Sequence, residues 1–305
     1  MAINLAAEYQ KKVAEQFSTG SKTDGWAGKA YDFAGVNKIF VYTIDDISLT
    51  DYARTGTDGF GGGMRFGTIS DVSDVKQELT MTKDRCFTKS IDRGNAAEQY
   101  NIKQATRVLQ MVNRRTIMPE VDKYRLLKWA SGNGLSAGKA VLKNATPAAL
   151  ISGATAGGSK NIVEAIFEAS AAMSDKLVPV DNRVLFISET DFVKFSLASV
   201  VMGGAQLNKE TVRNGYRGTI DGIDVVTVPS AYIPSNCGFI MKYKGATVDP
   251  IKLRSLRVHK DPPGIDGDLL EGRIMYDAFV LDAMCDGVYV WKTYAGAPGS
   301  SSTTT

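Results

Sequence analysis

The sequence predicts an α+β fold, and three observations carry that expectation. Apolar residues recur at helical spacing through 95–131 and again through 161–177. Runs rich in β-branched and aromatic residues fill 38–49, 182–188 and much of 216–291. The two kinds of element mix along the chain without a βαβ rhythm or an internal repeat. The 305 residues, 44% hydrophobic and 23% charged, suit one large domain or two modest ones.

In chain order, MAINLAAEYQKKVAEQF opens with Leu5, Tyr9, Val13 and Phe17 at helical spacing, a short amphipathic helix. It has no apolar h-region, so it does not read as a signal peptide. KIFVYTIDDISL begins as a strand, and residues 50–74 are glycine-rich and polar. VKQELTMTKDRCFTKSI then alternates well enough for one or two strands. Together these form a long two-stranded excursion, marginal by itself, which predicts that it lies on something else. Asn95, with Glu98 three residues on as in a capping box, starts the strongest helix, with Ile102, Ala105, Leu109 and Val112 on one face. Pro119 is expected to end this helix or to start the next, whose stripe is Val121, Tyr124, Leu127 and Lys128. A third helix is expected over 161–177, with Ile162, Ala165, Ile166, Ala169 and Met173 buried. A buried strand follows at 182–188, then a helix from Glu189. Asp221-Gly222 sits between two β-rich runs, a strong hairpin signal. Further strands follow to Thr293, and AGAPGSSSTTT reads as a disordered tail.

Motifs for chemistry are scarce. SGNGLSAGK at 131–139 contains a G-x-S-x-G, but a nucleophile elbow needs a strand before its serine. Here a helix runs into the glycines, and Gly132 reads as its stop. The single histidine, His259, lies in VHKDPPG beside a turn, so Ser136 and His259 make a weak serine-hydrolase pair. The same stretch misses the phosphate-loop spacing by one residue, as does GFGGGMRFG at 59–67. Cys86, Cys237 and Cys285 are far apart and form no C-x-x-C, which predicts three free thiols and no zinc set. No catalytic, cofactor-binding or metal residue is expected. The net charge of +3 permits contact with nucleic acid without arguing for it. No apolar run approaches a membrane span, so no membrane partner is expected.

Several segments together resemble the major capsid proteins of tailed bacteriophages. FTKSIDRGNAAEQ at 87–99 resembles the stretch leading into that family's long spine helix. PEVDKYRLLKWAS at 119–131 resembles the segment after it, and LLEGRIMYDAFVLDAMCDGVYVW at 269–291 resembles the closing strands. The resemblance in order covers most of residues 1–293. It implies an N-terminal arm and first strand at 1–49 and an extended hairpin loop at 50–90. It implies a peripheral domain from 91–150 and 261–293, an axial domain at 151–260 and the tail at 294–305. It also implies a shell of hexamers and pentamers around double-stranded DNA, touched non-specifically. A separate scaffolding protein and a portal protein would be partners, in a virion assembled in the host cytoplasm. Phe60, Met64 and Phe66 would anchor the hairpin on a neighbour. Arg54 and Arg65 would pair with carboxylates such as Glu98 or Asp122 of that neighbour. An encapsulin-like compartment is the alternative on the same fold, and a hydrolase using Ser136 and His259 the alternative on another.

Overall fold

The computed structural model describes residues 20–31, 33, 38–44, 47–52, 66, 71–94, 105–201, 216–220 and 222–294. The expected amphipathic helix at the start, the Asn95–Glu98 cap and the tail lie outside them.

A short 3-10 turn, Asp24–Trp26, precedes strand β1, Lys38–Ile44. Strands β2, Asp74–Thr80, and β3, Lys83–Asp92, follow. Next come helix α1, Ala105–Val112, a π-helical turn at Asn113–Ile117, and helix α2, Met118–Ser131. Strands β4, Leu142–Lys143, β5, Ala149–Ile151, and β6, Ser159–Asn161, lead into helix α3, Ile162–Asp175. Strand β7, Arg183–Ser188, helix α4, Glu189–Val201, and the hairpin of β8, Tyr216–Ile220, with β9, Ile223–Val228, come next. The chain closes with β10, Cys237–Tyr243, β11, Thr247–Val248, β12, Ile251–Lys260, β13, Gly267–Tyr276, β14, Phe279–Val280, and β15, Val288–Lys292.

Pro119 sits in the first turn of α2, as the second of the two readings expects, but no break precedes it. α1, the π turn and α2 run on without a break. Proline has no N–H to give, and its ring crowds the carbonyl four residues back, here Arg115. Widening the helix by a π turn just before the proline relieves that crowding. The stripe on α2 also differs from the expected one. Leu126 and Trp129 are fully buried while Leu127 is exposed, because α2 is covered on more than one side and its buried face is broad.

The core is a six-stranded sheet in the order β4-β15-β10-β7-β9-β8. β7 is buried at every position, as a strand covered on both faces must be. Leu185 and Ile187 face α3 and α4, with Phe239, Met241 and Trp291 beside them. Val184 and Phe186 face α2 on the other side, against Leu126 and Trp129. The pairs β7–β9 and β4–β15 are parallel. A βαβ crossover therefore exists, β7 through α4 to β9, with the β8 hairpin inserted. It escaped the sequence reading because β8 breaks the alternation. A second sheet, β12-β13-β3, lies under the π turn and α2 through Ile117, Tyr124, Ile274 and Tyr276. The expected division at residue 261 cuts across this topology. β15 belongs to the sheet of β7 and β10, and β12 to the sheet of β3.

Two polar anchors hold the layers. Arg183 is fully buried and donates to Pro179 O, Ser170 O and Ser174 Oγ around the end of α3. At the other end of α3, Asn161 Oδ1 accepts from Val163 N at 2.9 Å while its Nδ2 donates to Gly153 O. Asn161→Ala removes this cap and should lower the denaturant midpoint by the equivalent of about 1 kcal/mol.

Candidate assembly surface

β1 and β2 pair antiparallel from Lys38↔Thr80 to Ile44↔Asp74. The arms of the expected excursion are therefore 38–44 and 74–80, and β3 belongs to the other sheet. The inward face of this hairpin is Val41, Gln77 and Leu79, packed with Phe33, Met81, Val248, Phe279 and Leu281. The outward face is also apolar. Phe40, Tyr42 and Ile44 are exposed, and beyond the strand so are Ile47 and Leu49, the latter at 97%. Phe66 is 86% exposed, its ring edge-on to Tyr52 with centroids 5.0 Å apart. Charges flank this row. Lys38 pairs with Glu78, whose carboxyl it holds below the ordinary value, and Lys76 Nζ sits 3.5 Å over the Phe40 ring. The hairpin is thus apolar on both faces of β1, with only the inner face covered by the described residues.

Of the residues expected to make inter-subunit contacts, Phe66 is described and exposed, with its ring against Tyr52. Arg54, Phe60, Met64, Arg65 and Glu98 lie outside the described residues. Asp122 is elsewhere and is used within the chain. It is 2% exposed. Its oxygens accept from Ser21 Oγ at 2.7 Å, Lys22 N at 2.7 Å and Thr23 Oγ1 at 2.6 Å. A carboxylate so filled has no room for a neighbour's arginine. The sequence reading looked to the glycine run and passed over Tyr42, Ile44, Ile47 and Leu49. The available signal was KIFVYTI itself, apolar at both odd and even positions although a lone hairpin has one face to bury.

The root of the hairpin meets SGNGLSAGK. Gly132 takes the left-handed conformation, φ 67°, and its N–H caps α2 through Lys128 O and Trp129 O, as the helix-stop reading expects. Asn133 then donates to Ala278 O and accepts from Val280 N. Ser136 bonds Asp282 through both its N–H and its hydroxyl. His259 pairs instead with Glu271, across the exposed β12–β13 ladder. The two halves of the hydrolase pair thus have separate partners, and the Ser136 hydroxyl is bonded to Asp282 and not to His259. Burial pushes the Cys237 thiol up to about 12, which removes it as a thiolate. Among the described residues no cluster of His, Cys, Asp or Glu fits a metal ion, and no helix is long and apolar enough to cross a membrane.

A segment before the hairpin is stapled to the body by buried ions. Lys242 is fully buried, with Nζ 2.8 Å from Trp26 O, 2.6 Å from Thr247 Oγ1 and 3.6 Å from the Trp129 ring centroid. Asp249, 3.7 Å away, accepts from Gly28 N, Thr247 Oγ1 and Trp129 Nε1. Burial pushes the Lys242 ammonium down to about 8, against the pull of Asp249.

No family model matches the sequence, and no curated protein matches it. Solved structures do, along nearly the whole chain. The capsid structure of the cyanophage P-SCSP1u is 14% identical, with a TM-score of 0.67, covering 96% of this chain and 94% of that one. A structure from Mycobacterium phage Che8 is 13% identical, with a TM-score of 0.66, over 95% of this chain and 98% of its own. The asymmetric unit of the bacteriophage PhiM1 mature capsid is 11% identical, with a TM-score of 0.66, over 95% and 92%. The chain has the tailed-phage major capsid fold.

Proposed function

We propose that the chain is the major capsid protein of a tailed bacteriophage, which assembles through hexamers and pentamers into an icosahedral shell around double-stranded DNA. The observation that carries this reading is the end-to-end match to capsid structures. The exposed apolar row of the hairpin supports it, since a shell subunit must leave surface to cover on its neighbours. In this reading the hairpin is the extended loop, laid over the next subunit. The β12-β13-β3 sheet with α1 and α2 is the peripheral part, and the six-stranded sheet with α3 and α4 the axial part. The function is structural and not enzymatic. A separate scaffolding protein and a portal protein are its assembly partners, contact with DNA is electrostatic and non-specific, and the shell forms in the host cytoplasm before becoming the virion. Negative-stain microscopy of the purified chain, with and without its scaffolding protein, tests this. Closed shells or capsomers are expected; small oligomers alone under every condition would overturn it.

A further inference from the structure

We propose that Gln77 fixes the direction in which the hairpin leaves the body, and so acts as the positioning residue of the assembly contact. This rests on the reading of the hairpin as an inter-subunit element. Gln77 is 1% exposed. Its Nε2 donates to Gly134 O and Val280 O, both at 2.9 Å, and its Oε1 accepts from Asp282 N at 3.0 Å. The three partners come from two elements outside the hairpin. Gly134 lies in the loop that follows α2. Val280 and Asp282 lie at and just beyond β14. Those two elements are themselves joined, by Asn133 to Ala278 and Val280 and by Ser136 to Asp282. A closed circuit of hydrogen bonds thus links the end of α2, β14 and the hairpin, and every donor or acceptor on the Gln77 amide used in it is directed at backbone.

Beyond β2, Thr82 donates its N–H and hydroxyl to Asp277, and the contacts of the paired strands with the body besides Gln77 are apolar. Val41, Leu79 and Phe279 hold the hairpin down, but apolar burial has no direction. Hydrogen bonds do. The backbone of Gly134 also lies so close that a Cβ there would come within 3.1 Å of Leu79 and Phe279. Past Gln77 the outward row is uncovered, and each further residue of strand adds about 3.3 Å of lever arm. A small tilt at Gln77 therefore grows into a large displacement at Ile47 and Leu49. The angle at which subunits join sets the curvature of a closed shell, so the clamp belongs to shape control as well as to stability.

The test compares three full-length variants with the wild type under conditions in which the wild type forms shells. Gln77→Met keeps length and loses all three bonds. It should leave the far-UV circular dichroism of the unassembled chain unchanged, yet lower the yield of uniform closed shells about tenfold, with a broad spread of diameters. Leu49→Asp should stop assembly outright. Uniform shells from Gln77→Met, with Leu49→Asp inactive, would overturn the clamp and leave the hairpin reading standing. Wild-type shells from both would overturn the two together. Should Gln77→Met fail to fold, Ser136→Ala loosens the same circuit at a half-exposed position, and shells of wild-type uniformity from it would also overturn the proposal.

Discussion

Replacing Ile44 and Leu49 together by aspartate should leave the chain folded and monomeric in solution while abolishing shells. Both side chains are exposed and outside every core cluster among the described residues, so their removal takes little from folding. Surface substitutions of this kind usually change stability by less than about 0.5 kcal/mol. The effect on association is of another size. Residues buried at the centre of an interface carry about 2 kcal/mol or more each, and a carboxylate left without a partner there adds its own desolvation penalty. A shell repeats the contact at every subunit, so the loss is repeated too. Size-exclusion chromatography and electron microscopy read the assembly, and thermal unfolding reads the fold. A double variant that assembles normally would remove the hairpin from the interface.

Asp249→Ala should cost about 3–5 kcal/mol, the range for breaking a buried ion pair from one side. That is a large part of the roughly 5–15 kcal/mol that keeps a domain folded. The loss has named parts. Lys242 is left as a buried cation, and Trp129 Nε1 and Gly28 N lose their acceptor. Adding Lys242→Met should return part of the stability, because the unpaired charge is what costs most. The titration of Lys242 also sets a sign. Its folded value of about 8 lies below the ordinary 10.5, so between these values the unfolded chain binds the extra proton. Stability from this group therefore rises as pH passes upward through about 8. Cys237 opposes it above the ordinary thiol value of 9, since burial holds that thiol protonated to about 12 while the unfolded thiol ionises. Denaturant midpoints at a series of pH values should rise and then turn over. A flat profile in the wild type would contradict the burial of the ammonium.

The helices at 118–131 and 162–175, the strand at 183–188 and the closing strands were legible because their apolar periodicity is strong and local. Gly132 was legible because a helix running into a glycine has few other outcomes. Pro119 marked the start of α2, but the π turn that joins it to α1 leaves no mark in the pattern of residue types. Asp122 did mislead. Nothing local distinguishes an exposed carboxylate on a helix from one that receives three donors from a segment a hundred residues earlier. Gln77 was invisible for the same reason, being one polar residue in an alternating strand whose partners lie 57, 203 and 205 positions away.

The stapled segment 21–28 has a consequence for the order of folding. Its bonds to the body reach from 99 to 221 residues ahead in sequence. During synthesis it leaves the ribosome well before Asp122, and far before Lys242 and Asp249 exist. At the usual pace of about 5–20 residues per second, it waits many seconds without a partner. Docking it closes loops of 99 to 221 residues, an entropic step that long-range contacts reward only at the end. Ser21, Lys22 and Thr23 can dock once Asp122 is made, whereas Trp26 and Gly28 wait for Lys242 and Asp249, so the segment is locked in two steps and fully only when the β10–β11 region is in place.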